Sequence, residues 1–192
     1  MKKCILIITS ILLLSCNHAA KKEGDNEKVA KKELKPFFDS DKIEHYYLNF
    51  SEDDFFKLAR KEKLSKKEKE FLGIFEFSFP DSIPNEDFEK ILLSHNYKKS
   101  KLSSKQEKAI KNIFSEKDSL RNEACSCIAE YRDIFIFKKN TKTVGIAKIC
   151  FKNLRFEIVG SKIDTEGFGL VDELDKLKKT VRPESYSILV TD

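Results

Sequence analysis

Tyr131-Arg-Asp-Ile-Phe-Ile-Phe137 and Thr143-Val-Gly-Ile-Ala-Lys-Ile-Cys-Phe151 are two apolar runs, rich in β-branched and aromatic residues, joined by the polar turn Lys138 to Lys142. Such residues suit a pleated, half-buried surface, and runs of this length between turn-forming residues predict strands. Leu154-Arg-Phe-Glu-Ile-Val159 follows after Lys152-Asn153. Connections this short predict an antiparallel meander, since parallel neighbours need a crossover of about a dozen residues or more.

Downstream, Leu170, Val171, Leu174, Leu177 and Val181 recur at helical spacing, which predicts an amphipathic helix packed across the sheet. Pro183 ends it, and Ser187-Ile-Leu-Val190 is expected to add a last strand. Gly167-Phe-Gly169 is too short to cradle a phosphate and introduces that helix.

Upstream, the signals are helical. Ser51 stands before Glu52-Asp53-Asp54, a capping hydroxyl followed by acids that favour a helix N-terminus, with Phe50 and Phe55 placed as a hydrophobic staple. Ser65-Lys-Lys-Glu68 opens a short helix into Phe71 and Leu72, after which Gly73-Ile-Phe-Glu-Phe-Ser-Phe79 is read as a strand ending at Pro80. Pro84 introduces a third helix through Phe88, Ile91 and Leu92, and Ser103-Ser-Lys-Gln106 a fourth through Ile110, Ile113 and Phe114. Helices first and strands later imply an α+β fold: N-terminal helices, an antiparallel meander and a C-terminal amphipathic helix on the sheet.

At the other end, Met1-Lys2-Lys3 precedes an apolar run from Cys4 to Leu14, then Ser15-Cys16 and polar Asn17-His18. This is the anatomy of a secretory signal peptide, and the run is about half the roughly 20 residues a spanning helix needs. Leu13-Leu14-Ser15-Cys16 resembles the lipobox of bacterial lipoproteins, with Leu14 bulkier than the usual residue before the small one. The resemblance implies that the Cys16 thiol receives a diacylglyceryl group, that signal peptidase cuts before it, and that acyl chains such as palmitate then hold the protein in a membrane. Two or more chains give stable anchoring, at about 0.8 kcal/mol per buried methylene. Asn17 is not the aspartate of inner-membrane retention, so the expected location is the cell envelope, at the outer membrane, facing the periplasm or the surface.

The expected organisation is therefore a signal peptide at 1–15, a lipidated tether at 16–35 and a single α+β domain at 36–192. Residues 17–35 hold ten charges and no aromatic, too little apolar surface to offset the entropy of ordering them. That charged segment resembles the surface-export signals of some Bacteroidota lipoproteins, and Cys127 through Phe151 resembles small uncharacterised lipoproteins of the same group, without implying an activity.

Cleavage before Cys16 removes Lys2 and Lys3 and no acid, taking the formal charge from +5 to +3. Sixteen phenylalanines and no tryptophan point to a phenylalanine-rich core. Five of the 37 basic residues are arginine, although guanidinium is the better group for phosphate and guanine, so no nucleic-acid partner is expected. Lys98 to Lys111 contains six lysines against Glu107 and is read as a solvated helix face, with anionic lipid as the rival partner.

Beyond the inner membrane cysteines are oxidised, so Cys125-Ser-Cys127 and Cys150 are disulfide candidates: Cys127 with Cys150, or Cys125 with Cys150. A loop of about twenty residues closed this way would contribute roughly 3 kcal/mol. The sharper reading is a thiol–disulfide redox protein using Cys125, Cys127 and Cys150, with Arg121 and Arg132 supplying charge, but C-x-x-C is missing. Adding His95 leaves too few ligands for zinc. His45 and His95 are read as exposed or partly packed, and Asp53-Asp54 as helix-start residues rather than an acid–base pair. No phosphate loop, dinucleotide fingerprint, G-x-S-x-G or H-E-x-x-H occurs. These observations imply no cofactor, no metal, no catalytic residue and no identifiable small-molecule ligand. The expected function is a non-enzymatic, membrane-anchored binding module with a protein partner in the envelope.

Overall fold

The computed structural model describes residues 34–85, 87–117 and 127–182, all within one compact unit, Glu33–Asp192. The elements run β1 (Lys42–Tyr47), α1 (Glu52–Ala59), α2 (Lys66–Phe75), α3 (Phe88–Ser94), β2 (Lys98–Ser100), α4 (Ser104–Ile113), β3 (Asp133–Lys139), β4 (Lys142–Cys150), β5 (Arg155–Val159) and α5 (Val171–Val181). Cys16, the tether up to residue 33, Arg121, Cys125 and Ser187–Val190 lie outside the described residues, and with them the signal peptide and the last strand expected there; the end of the expected tether is described, and its Lys35 carbonyl accepts from the Glu116 N–H.

The sheet has the order β2-β1-β3-β4-β5 and is antiparallel throughout. The meander is present as β3-β4-β5. Its first turn is the pair Asn140-Thr141, both at positive φ (48° and 71°), the left-handed conformation whose twist matches flanking strands. The register then shifts at Phe137/Lys138. There Gly145 faces the Phe38 ring, which an added Cβ would approach to 2.2 Å, so the lack of a side chain lets Phe38 seat on Phe137.

Successive strand residues alternate between two cores. Tyr46, Ile134, Ile136 and Ile146 face α1, α2 and α3. Ile43, Phe135, Phe137, Ala147 and Ile149 face Ile110 and Phe114 on one side of a second layer and Leu174 and Leu177 of α5 on the other. The fold is thus α+β with helices covering both faces of the sheet, and α5 packs beside α4.

The caps read from the sequence form. Ser51 Oγ accepts from the Asp54 N–H (3.1 Å), and Ser65 with Glu68 and Ser103 with Gln106 make reciprocal capping boxes. Phe50 and Phe55 both meet the Phe75 ring.

Gly73 to Phe75 is the last turn of α2, not a strand, and Phe77 and Phe79 are exposed. The apolar residues Phe71, Leu72, Ile74 and Phe75 fall at helical spacing, and the Ser65–Glu68 box launches a helix long enough to use all four. β1 and β2 were not anticipated. β1 carries Glu44 and His45 at fully buried positions, so its polar residues masked a central strand.

Candidate functional site

The polar residues of β1 are buried because the fold supplies partners. His45 Nε2 donates to Asp133 Oδ1 (3.0 Å), and its Nδ1 lies 3.0 Å from the Ser100 hydroxyl, which ties edge strand β2 to the centre of the sheet. Asp133 also receives the Arg182 guanidinium at the end of α5, which stacks on Tyr47 at 4.1 Å. Ser100, His45 and Asp133 form a chain reminiscent of a hydrolytic relay, but Asp133 is already paired with Arg182 and both His45 and Asp133 are about 1 % exposed. The chain holds three strands and α5 together. Both histidines are buried rather than exposed or partly packed, a correction explained by these partners and, for His95, by Glu70.

On the opposite face Glu44 sits among Lys42, Lys99 and Lys138. Burial alone would raise its carboxyl, but the three ammonium groups outweigh burial and hold it well below the usual range. Tyr46 donates to Glu89 (2.7 Å) and lies 3.1 Å from Glu44; burial and these carboxylates push its hydroxyl far above the ordinary phenol range.

Lys148 is the most deeply buried cation among the described residues. Its ammonium points at the end of α2, 3.4 Å from the Ile74 carbonyl and bonded to that of Phe77, with the Tyr131 ring at 4.4 Å and Glu157 at 3.8 Å. The last turn of α2 has no basic residue of its own, so a β4 lysine supplies the cation that helix C-termini favour. Burial lowers Lys148 to about 8, against a partial offset from Glu157.

Cys127 is disulfide-bonded, but not to Cys150. Cys150 is a free thiol, buried with Ala129 and Tyr131, so neither the Cys127–Cys150 nor the Cys125–Cys150 bridge is present. The reason is positional: Cys150 points into the core at the end of β4, whereas Cys127 lies on an exposed segment whose carbonyl accepts from Arg155 at 3.3 Å. Among the described residues no cluster of histidine, cysteine and carboxylate side chains suits a metal ion, and no helix is long and apolar enough to cross a membrane.

The candidate site is a pocket of about 440 Å³ where the chain leaves β1 and passes α1, α2 and the end of α3. Its apolar floor is Leu48, Phe50, Leu58 and Phe71. Phe71 is fixed by stacking on Phe75 (5.3 Å), and Phe50 meets it edge-on (5.1 Å). The Arg132 guanidinium donates to the Phe50 carbonyl. His95 caps α3, donates to Glu70 (2.8 Å) and lies 5.8 Å from the Phe71 ring, closing one wall. Asn96, at φ 64°, turns the chain out of α3 and puts its amide on the rim with Asn49, Asp54 and Lys67.

Asp54 and Glu68 stay ionised at this rim. The Ser51 hydroxyl and Lys57 lower Asp54, while Lys61 and the Ser65 cap lower Glu68 to about 2. Asn49, Asn96 and Lys67 make no side-chain hydrogen bond or ion pair among the described residues. The sequence marked Phe50, Asp54, Glu68 and Phe71 only as helix residues; the left-handed Asn96 after an amphipathic helix was the available hint of a wall here. No protein-family model, curated protein or solved structure matches the chain.

Proposed function

We propose that the chain is a cell-envelope lipoprotein, anchored through lipid on Cys16 in the outer membrane, and that its domain is a non-catalytic interaction module presenting the pocket at β1, α1, α2 and α3 to a protein partner. The observation that carries this reading is a contrast in polar pairing. Each buried charged side chain and both histidines among the described residues have internal partners, as in the His45–Asp133–Arg182 and Glu44–lysine clusters. At the pocket, by contrast, an apolar floor is rimmed by the unpaired amides of Asn49 and Asn96 and the ammonium of Lys67. Concave, mostly apolar surfaces with a few outward polar groups are what recognition sites use.

Thiol–disulfide exchange through Cys125, Cys127 and Cys150 is the weaker reading. An attacking thiol needs access as well as a thiolate, and Cys150 is about 1 % exposed.

The test is a photo-crosslinking residue placed at Asn49 of the full chain in cells that make it. One specific protein adduct, lost when the same probe sits on exposed Lys142 across the fold, is the expected result. Absence of any specific adduct, together with turnover of some substrate by the purified protein, overturns the reading.

A further inference from the structure

The sheet separates two surfaces of different character. The pocket lies on the α1–α3 side, and the other side is the outer surface of α4 and α5. These two helices run antiparallel. Gln106, near the start of α4, donates to the Thr180 carbonyl near the end of α5 (2.7 Å), and Lys117 beyond α4 pairs with Glu173 in the first turn of α5. The pairing joins two stretches far apart in the chain. Residues 98–111 hold six lysines against Glu107, and residues 175–182 hold three lysines and Arg182 against Asp175. Ile110, Leu174 and Leu177 turn one face of each helix into the core, so Lys105, Lys108 and Lys176 stand on the outer face. With Lys98 on edge strand β2 and Lys101 at the entry to α4, they are exposed and have no acidic partner among the described residues. Lys179 is engaged by Asp175, and Arg182 by Asp133. Apart from Glu107 and Asp175, the acids of this layer, Glu116, Asp172 and Glu173, stand at its other end.

We propose that this basic end of the α4–α5 surface rests on anionic phospholipid of the membrane that carries the anchor, leaving the pocket turned away from the lipid. The inference rests on the anchor proposed for Cys16 and adds an orientation to it. The unpaired cations are all lysine, a compact, strongly hydrated point charge, whereas arginine is the group for bidentate recognition of one phosphate or carboxylate. They are spread over β2, α4 and α5 rather than gathered around a cavity, as an extended anionic plane requires. Each lysine close to such a plane strengthens binding by a factor of roughly five, so five lysines against Glu107 carry a substantial attraction. The chain leading back to Cys16 starts beside this same layer: the Glu116 N–H donates to the Lys35 carbonyl, and the Phe37 N–H to that of Phe114. Nineteen positions separate Cys16 from Lys35. At about 3.5 Å per extended residue that is ample chain for the layer to lie on the surface. The α1–α2 connection is also rich in lysine, but it belongs to the pocket side, where Glu52, Asp53, Asp54 and Glu70 oppose it.

The test adds the lipid-modified full chain to preformed vesicles of phosphatidylcholine, alone or with one-third phosphatidylglycerol. Acetylation of each lysine by a membrane-impermeant reagent is then followed by mass spectrometry. Phosphatidylglycerol is expected to slow the reaction of Lys101, Lys105, Lys108 and Lys176 about tenfold, and to leave Lys63 and Lys69 on the opposite layer unchanged. The protection should disappear at about 500 mM salt, where the Debye length falls below roughly 5 Å. Lys105→Glu combined with Lys108→Glu is expected to abolish the protection of Lys101 and Lys176, whereas Lys63→Glu combined with Lys69→Glu keeps it. All four side chains are exposed, and matching melting temperatures verify that the variants fold. Equal rates with and without phosphatidylglycerol overturn the proposal. So does equal protection by soluble polyglutamate on neutral vesicles, which would assign the surface to an acidic protein. Flotation reads the anchor separately. A chain that floats with neutral vesicles but gains no protection from phosphatidylglycerol keeps the anchor and loses the orientation. One that floats only with phosphatidylglycerol loses the anchor and keeps the surface, and one that floats with neither loses both.

Discussion

Lys148 shows how one residue couples charge to architecture. Its ammonium stands under the C-terminal carbonyls of α2 while its stem crosses the core between the sheet and Tyr131. Its pKa falls from 10.5 in the unfolded chain to about 8 in the fold, chiefly through burial. Between these values the unfolded state binds more protons, so this group adds stability as pH rises from about 8 to 10.5. A drop of that size corresponds to roughly 3 kcal/mol. Lys148→Met removes the titration and leaves the Ile74 and Phe77 carbonyls without their cation. The informative quantity is therefore the stability difference between parent and variant, followed by urea unfolding at several pH values. The parent is expected to gain about 3 kcal/mol on the variant from neutral pH to above pH 10. A difference that stays constant with pH would show that Lys148 is not a buried cation.

At the scale of elements, what the sequence disclosed depended on whether the signal was local. The starts of α1, α2 and α4 were legible because a capping serine and its partner three residues on carry their own chemistry. The meander was legible because its strands are neighbours in the chain. β1 was not: Glu44 and His45 are tolerable in a central strand only because Lys99, Lys138 and Asp133 arrive from distant segments. The pocket was hidden for the same reason, since Phe50, Phe71 and His95 meet only after α1, α2 and α3 are placed. The Asn140-Thr141 turn makes a prediction at this scale. Thr141 is β-branched at φ 71°, where such residues are strained, and Asn-Gly is the sequence this turn favours. Thr141→Gly is expected to raise stability by about 1 kcal/mol, read as a higher denaturant midpoint with an unchanged slope. A lower midpoint would mean that the turn adopts another conformation.

At the scale of the whole molecule, the question is how the proposed anchor relates to the fold. The segment that opens the described chain is tied down early: Phe37 N–H donates to the Phe114 carbonyl (2.9 Å), Glu116 N–H to that of Lys35 (2.8 Å), and Phe37 and Phe38 are buried against the second core. The earliest core residue in that cluster thus stands twenty-one positions after Cys16. Location and folding are therefore expected to be separable. Cys16→Ser should abolish labelling by radioactive palmitate and leave an uncut precursor, because the thiol is the group that would be acylated. The same variant, purified, should unfold at the parent's temperature, because the substituted residue stands twenty-one positions before Phe37, the first residue of the second core. A Cys16→Ser chain that is still processed and still sediments with membranes like the parent would remove the lipoprotein reading. A large fall in melting temperature with labelling abolished would instead show that the anchor segment contributes to the fold, and the interaction module would then have to be sought in the anchored form alone.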